Sequence, residues 1–349
     1  MGKQQTYFCH KTPVQLVLEF GIGYAIGASP EIVSTRVERP AMEMNPTLDW
    51  AYVDTVDSCQ LKCPTCARGV RLMLNSSRKM SIDLFEQIIA KLKFEGYRRI
   101  GLFNFTEPFL NRTLQDYVAK VNQIGIPCEI SSTFSLRHID NLEETLCAGV
   151  NVMYVSMSGM DQATYETNHV DGVLEYVLRN LATAAHIIRT RGLSSCLIMR
   201  FIRFDYNAHQ IPEALAFAEK FGICFEVIEG CGDPRSKEEL KRLTDEFFRG
   251  EMSRSSGNPS PEELGQVCRL MFDQVAIDCV GDVFICCAMP NHPSLRIGNY
   301  LTLSPSEILL KRYTHSFCRA CRMPRREATP FDRSRLLKAV GDLLAPQSA

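Results

Sequence analysis

The sequence has almost no net charge, with 39 Lys and Arg set against 40 Asp and Glu, leaving −1. No global field therefore draws the chain to nucleic acid or to an anionic membrane. Apolar runs long enough for a membrane-crossing helix are also missing. The apolar stretch 14–28 contains Glu19 and several glycines, so it makes a poor secretory signal. Internal repeats beyond a strand–helix period and long low-complexity tracts are absent. Residues 1–6 fit a myristoylation pattern in form, but that pattern is short. One basic cluster stands out (Arg319, Arg322, Arg325, Arg326, Arg333 and Arg335), and it reads as a solvated or substrate-facing tail. Cysteine, by contrast, is abundant. Fifteen residues, an odd number that includes C-x2-C pairs, suit a reducing cytosol and thiolate–metal chemistry better than a disulfide framework. The expected location is cytoplasmic, with no nucleic-acid or membrane partner.

A chain of 349 residues with 45% hydrophobic and 23% charged residues is long enough for one large domain and a smaller one. From residue 50 onward, strand-like and helix-like segments alternate. Strands are predicted at 50–56, 99–105, 127–132, 151–156, 195–204 and 223–228. Helices are predicted at 82–94, 113–124, 142–148, 174–191 and 211–221, with Ser81 as the cap of the first. Such alternation argues for parallel βαβ units, and the simplest architecture is an α/β fold, a partial (β/α)6 barrel open on one side. A helix at 237–248 precedes a loop rich in Ser, Gly, Asn and Pro at 251–261, which is the best boundary in the sequence. The expected division is an extension at 1–46, a core at 47–250, a small cysteine-rich domain at 251–325 and a tail at 326–349.

The first predicted strand runs directly into Cys59, Cys63 and Cys66, spaced C-x3-C-x2-C. Three thiolates can ligate three irons of a 4Fe–4S cube and leave the fourth iron without a protein ligand. A zinc knuckle or unrelated core thiols satisfy the same residues. The spacing resembles the signature of the radical S-adenosyl-L-methionine (radical SAM) superfamily. That resemblance implies a cluster whose open iron chelates SAM, reductive cleavage of the C–S bond, and hydrogen abstraction by a 5′-deoxyadenosyl radical. It also implies an electron donor such as flavodoxin or ferredoxin.

Further residues follow from this resemblance. Glu107, in Phe105-Thr106-Glu107-Pro108, stands where the family has Gly-Gly-Glu-Pro, so it inherits the contact to the SAM amino group. Phe105 and Thr106 replace the two glycines. Ser156-Met157-Ser158-Gly159 resembles the Ser-Ile-Asp-Gly stretch of family members with auxiliary clusters, with Ser158 in place of Asp. Ser156 is the expected hydroxyl near SAM, and Ser132 is a second; both also suit ordinary strand ends. Arg200 lies in an apolar run, where its charge requires a cavity or a partner, and the SAM carboxylate is the expected one.

Beyond the boundary, a strand at 274–278, a turn at 280–282 and a returning strand at 283–285 end in Cys286-Cys287. Cys268 precedes the hairpin, and Cys318-x2-Cys321 follows a helix predicted at 305–313. Cys268, Cys286, Cys318 and Cys321 would fully ligate a second cube. Cys287 is able to exchange roles with Cys286, and zinc fits four thiolates as well. The segment resembles the twitch form of the SPASM auxiliary domain, so an auxiliary 4Fe–4S cluster is implied. No cysteine follows Cys321, and the second auxiliary cluster of a full SPASM domain is expected to be missing.

The resulting expectation is a radical SAM enzyme acting on a carbohydrate- or aminocyclitol-like small molecule in natural-product biosynthesis, by epimerisation or dehydrogenation. A ribosomal peptide maturase is the alternative. The 46 residues before the first strand look too few for a fused peptide-recognition domain, which a separate protein can supply. An electron carrier or zinc scaffold would need neither the βα core nor an open-iron loop. Cys231, between two glycines after the sixth strand, and Cys287 are the candidate hydrogen-donating thiols.

Overall fold

The computed structural model describes residues 6–8, 50–230, 232–236, 266–320, 325–327 and 332–338. The predicted helix at 237–248, the boundary loop at 251–261, Cys231, Cys321 and nearly all of 1–46 lie outside the described residues.

Six strands form the parallel core: β2 (Trp50–Val53), β3 (Arg99–Gly101), β4 (Cys128–Ser132), β5 (Val152–Met157), β6 (Cys196–Arg203) and β7 (Cys224–Glu229). Each pairs in parallel with its sequence neighbour. Helices α1 (Ile82–Glu95), α2 (Leu114–Gln123), α3 (Leu142–Cys147), α5 (Leu174–Thr190) and α6 (Ile211–Phe221) connect them. A short α4 (Gln162–Asn168), which the sequence reading lacked, is capped by Asp161.

These helices form where expected for identifiable reasons. Ser81 caps α1 by accepting from the Leu84 N–H, and Gly96 ends it at φ +86°, a conformation that suits glycine. The buried positions of α1 are Phe85, Ile88, Ile89 and Leu92, a 3.6-period stripe that packs on the sheet. The main core lies between the helices and the outer sheet face, where Val53, Ile100, Ile130, Met153, Val155 and Met199 are essentially fully buried.

Strands β2 and β3 stop earlier than predicted. After Gly101 the chain turns so that Phe103 stacks edge-on against Trp50 and Tyr52, at centroid distances of 6.1 and 5.6 Å. After Val53, the Asp54 N–H bonds to the Ile277 carbonyl at 2.9 Å, and the chain leaves for the cysteine loop.

The C-terminal hairpin extends the same sheet. β9 (Gln274–Ile277) pairs in parallel with the free side of β2, and β10 (Asp282–Phe284) and β11 (Arg296–Asn299) follow antiparallel. The strand order is β1-β7-β6-β5-β4-β3-β2-β9-β10-β11, where β1 is Thr6–Phe8. No pairing among the described residues joins the two edges, so the barrel is partial, as expected. A separate two-stranded ladder pairs β8 (Gln266–Cys268) with β12 (Arg325–Glu327). Helix α7 (Arg269–Asp273) follows β8, and α8 (Pro305–Thr314) and α9 (Ser316–Ala320) follow β11. Among the described residues no helix is long and apolar enough to cross a membrane.

Candidate cofactor and active site

The loop bearing Cys59, Cys63 and Cys66 sits at the carboxyl end of β2, where parallel α/β sheets place their chemistry. It is fastened to the ends of three further strands. Gln60 Nε2 donates to Thr133 Oγ1 and to the Ser135 carbonyl, at 3.1 and 3.3 Å, beyond β4. Thr65 Oγ1 donates to Asn168 Oδ1 at 2.7 Å, and the Lys62 N–H to the Val170 carbonyl at 3.0 Å, beyond β5. The third fastening is Arg68, only 6% exposed, whose Nε donates to the Phe105 carbonyl at 2.8 Å beyond β3. Its Nη atoms bond the Asp57 and Leu74 carbonyls, Asn75 Oδ1 and the Asp57 carboxylate.

Within the loop, the Cys66 N–H bonds the Cys63 carbonyl at 3.0 Å, and Asn75 bonds both the N–H and the carbonyl of Cys59. Gly69 makes this turn possible, because a Cβ there would lie 2.0 Å from the Cys63 carbonyl oxygen. Burial, then the nearby Glu107 carboxylate, push the Cys59 thiol up to about 12. The Cys63 thiol is pushed well up by burial and then by the sulfurs of Cys66 and Cys59. Three thiols thus share one electrostatic neighbourhood, with no imidazole among them.

Among the described residues no three Cys, His, Asp or Glu side chains converge on a single point as ligands of one ion would. A cube takes each thiolate on a different iron, so its ligands are spread along a loop. The all-sulfur donor set suits that group.

Glu107 is fully buried, and four donors converge on its carboxylate. Oε1 accepts from Ser132 Oγ at 2.7 Å and the Phe109 N–H at 3.1 Å, while Oε2 accepts from the N–H and Oγ1 of Thr133, both at 2.8 Å. Its own N–H bonds the Ser58 carbonyl at 3.0 Å. In this arrangement Glu107 ties the ends of β3 and β4 to the cysteine loop. Ser132, expected to face SAM, donates to Glu107 and accepts from the Phe134 N–H. Thr106, which stands at a family glycine, donates to Asp54 Oδ1 at 2.5 Å. Burial pushes the Asp54 carboxyl up to about 6, against that hydrogen bond.

The inner face of the sheet forms a polar lumen. Ser156, Arg200 and Glu226 stand side by side on β5, β6 and β7. Arg200 Nε lies 2.7 Å from Glu226 Oε2, and its guanidinium covers the Tyr154 ring at 3.9 Å. The protein itself therefore supplies a carboxylate for Arg200. Glu226 is 0% exposed, and its Oε1 has no hydrogen-bond partner. Across the lumen, Arg99 pairs with Glu129 at 3.5 Å and covers the Trp50 ring at 4.3 Å. Ser156 remains half-buried.

The hairpin brings Cys286 and Cys287 to the opposite end of β2. Cys287 Sγ donates to Gln274 Oε1 at 2.6 Å, and Gln274 is level with Trp50, the first residue of β2. The Tyr52 phenol is pushed up by burial and then by the nearby Cys287. The Cys286 thiol is held low chiefly by the neighbouring Cys287 thiol, and the Ala288 N–H donates to its sulfur at 3.3 Å. From Cys287 the chain runs back toward the mouth, where Asn291 Nδ2 lies 3.4 Å from Asp54 Oδ2. Cys268 ends β8, Cys318 lies in α9, and Cys279 is buried within the hairpin. Gly230, beside Cys231, is pressed on the Phe204 ring, where a Cβ would lie 2.1 Å away.

Sequence reasoning missed Arg68, Gly69, Asp54 and Glu226. Arg68 and Gly69 stand two and three residues after the last loop cysteine, so position was an available signal. Nothing in the sequence marks Glu226 as the partner of Arg200.

No protein-family model matches the sequence. Among curated proteins, the chain is 23% identical over 157 residues to PqqA peptide cyclase of Bradyrhizobium diazoefficiens, covering 45% of this chain and 40% of that protein. It is 24% identical over 200 residues to GTP 3',8-cyclase of Synechocystis sp., covering 54% and 58%. It thus spans about half the length of the curated relatives it matches. The fold resembles Streptococcus suis SuiB bound to precursor peptide SuiA, with TM-score 0.57, 14% identity, and coverage of 80% of this chain and 67% of that one. It also resembles anSMEcpe with bound AdoMet, with TM-score 0.52, 15% identity, and coverage of 78% and 86%. In its cysteine loop, its open parallel sheet and these likenesses, the chain resembles the radical SAM superfamily.

Proposed function

We propose that this chain is a radical SAM enzyme that abstracts hydrogen from a carbohydrate- or aminocyclitol-like molecule, leading to epimerisation or dehydrogenation. The observation that carries this reading is the polar lumen between two cysteine groups at opposite ends of the sheet. Cys59, Cys63 and Cys66 would hold the SAM-binding cluster, and Cys268, Cys286, Cys318 and Cys321 the auxiliary one. When bound, the first cluster and SAM supply a carbon radical able to take a hydrogen atom from an unactivated C–H bond.

The remaining work falls to the chain's own side chains. Arg68 and Glu107 position the loop, and Ser132 acts through Glu107. Ser156 and the Arg200–Glu226 pair offer hydroxyl, donor and acceptor groups that match a ring bearing hydroxyls or amines. Aromatic faces at Trp50, Tyr52 and Tyr154 exclude water from the same space. Cys287 would return a hydrogen atom to the substrate radical; Cys231 is the second candidate.

A peptide substrate is the second reading. It is favoured by the open sheet, which admits an extended chain, and by the likeness to PqqA peptide cyclase and to SuiB bound to precursor peptide SuiA.

Anaerobically reconstituted protein with dithionite and SAM should release 5′-deoxyadenosine, and absence of that product would remove the enzyme reading. A reaction in D2O with an aminocyclitol panel then separates the outcomes. One solvent deuterium at an inverted carbon, lost in Cys287→Ala or Cys231→Ala, identifies epimerisation and its donor. A product two hydrogens lighter without deuterium identifies a dehydrogenase. Turnover only with a precursor peptide would overturn the small-molecule reading.

A further inference from the structure

Arg312, on α8, is only 2% exposed. Its guanidinium donates to three backbone carbonyls: Nη1 to Met271 at 3.2 Å and Gln274 at 2.5 Å, and Nη2 to Phe284 at 3.3 Å. Nε has no partner, and among the described residues no carboxylate forms an ion pair with this group. Neutral carbonyl dipoles compensate a buried full charge only in part, so such a position calls for an anion.

The three acceptors identify where that anion would sit. Cys268 is three residues before Met271, Cys286 is two residues after Phe284, and Cys318 is six residues after Arg312 itself. The guanidinium therefore ties together the segments that carry the described candidate ligands of the auxiliary cluster. Gln274, whose carbonyl accepts from Arg312, also accepts through Oε1 from Cys287. A cube ligated by four thiolates carries net negative charge, and one-electron reduction makes it more negative. A fixed buried cation beside it favours the reduced state, because water cannot screen the interaction well there.

We infer that Arg312 is the counter-charge of the auxiliary cluster and raises its reduction potential. This rests on the auxiliary-cluster reading above, and the test separates the two. The full chain carrying Cys59→Ala, Cys63→Ala and Cys66→Ala is reconstituted anaerobically, so that only the auxiliary site can load. About four irons per chain should bind; none, or one zinc, would sink the cluster reading itself. A redox titration followed by electron paramagnetic resonance then compares Arg312→Gln with Arg312→Lys in that background. The Gln variant should lower the reduced-to-oxidised ratio at a fixed potential at least tenfold, equivalent to about 59 mV for one electron. The Lys variant, which keeps the charge, should change it less than about threefold. A Gln variant that holds its iron with an unchanged ratio would overturn the inference, since merely anchoring carbonyls leaves the potential alone. Should the Gln variant fail to fold by circular dichroism, the Lys variant decides, and a tenfold shift in it would overturn the inference.

Discussion

Arg200 and Glu226 stand directly opposite one another on β6 and β7, with Nε and Oε2 2.7 Å apart and Glu226 wholly buried. The pair is part of the polar inner face of the sheet, and its energetics are asymmetric. Removing one partner leaves an uncompensated charge, which costs far more than replacing both. Glu226→Ala should destabilise the fold by about 3 kcal/mol, whereas Arg200→Met combined with Glu226→Leu should recover most of that loss. Urea unfolding of the two variants checks this; equal destabilisation would show that the pair is not coupled.

Two buried groups make opposing contributions to stability in one pH window. Asp54 has its carboxyl raised to about 6, chiefly by burial, so its stabilising effect is complete below the unfolded value near 3.8 and is lost as pH rises through about 6. His169 is 2% exposed, sits 2.5 Å from Ser158 Oγ and stacks on Tyr165. Burial pulls its imidazole down to about 4, so its effect is complete above 6.5 and is lost as pH falls through about 4. The two slopes cancel in part between pH 4 and 6. Relative to the parent protein, Asp54→Asn should gain stability as pH rises through that window, and His169→Gln should lose it. Unfolding midpoints at pH 4.5, 5.5 and 7 provide the check, and parallel profiles would refute both assignments.

Gly69→Ala should abolish loading of the first cluster. Its Cβ would collide with the Cys63 carbonyl, which is backbone and has nowhere to move within a turn closed by the Cys66 N–H. Iron should fall from about eight to about four per chain, as in the triple Cys59, Cys63 and Cys66 variant. Undiminished iron would show that the loop tolerates the clash.

Glu107→Gln should cost about 2 kcal/mol, because one face of the carboxylate would become an NH2 group aimed at donors. The backbone N–H groups of Phe109 and Thr133 cannot turn away, although the hydroxyls can. If Glu107 acts by positioning, SAM affinity measured by equilibrium dialysis should change less than the thermal midpoint indicates. An undisturbed fold with lost SAM binding would assign Glu107 to SAM directly.

Local pattern accounts for what was readable in advance. Ser81, the stripe Phe85-Ile88-Ile89-Leu92 and Gly96 define α1 without reference to anything else. The cysteine spacing is equally local, since three thiols on one loop need no distant strand to meet. The alternation of strand and helix periods from residue 50 to 229 specifies parallel units by the same logic. The hairpin at 274–285 was legible from its turn at Gly281, where φ is +82°.

By itself, then, the sequence determined the βα order, the three-cysteine loop and the C-terminal hairpin, because each depends on neighbours within a few residues. Only the tertiary structure decided what each charge meets. Strand alternation says that Arg200 and Glu226 each face one side of a sheet, but the register that sets them opposite is a property of two strands together. The four donors of Glu107 come from two separate segments, at Phe109 and at Ser132-Thr133, and the carbonyls of Arg312 come from segments up to 41 residues away. Placing the two cysteine groups at opposite ends of one lumen needed β9 to pair with β2, more than two hundred residues earlier in the chain. Such pairing is a cooperative outcome of the whole core, and no local stretch of sequence carries it.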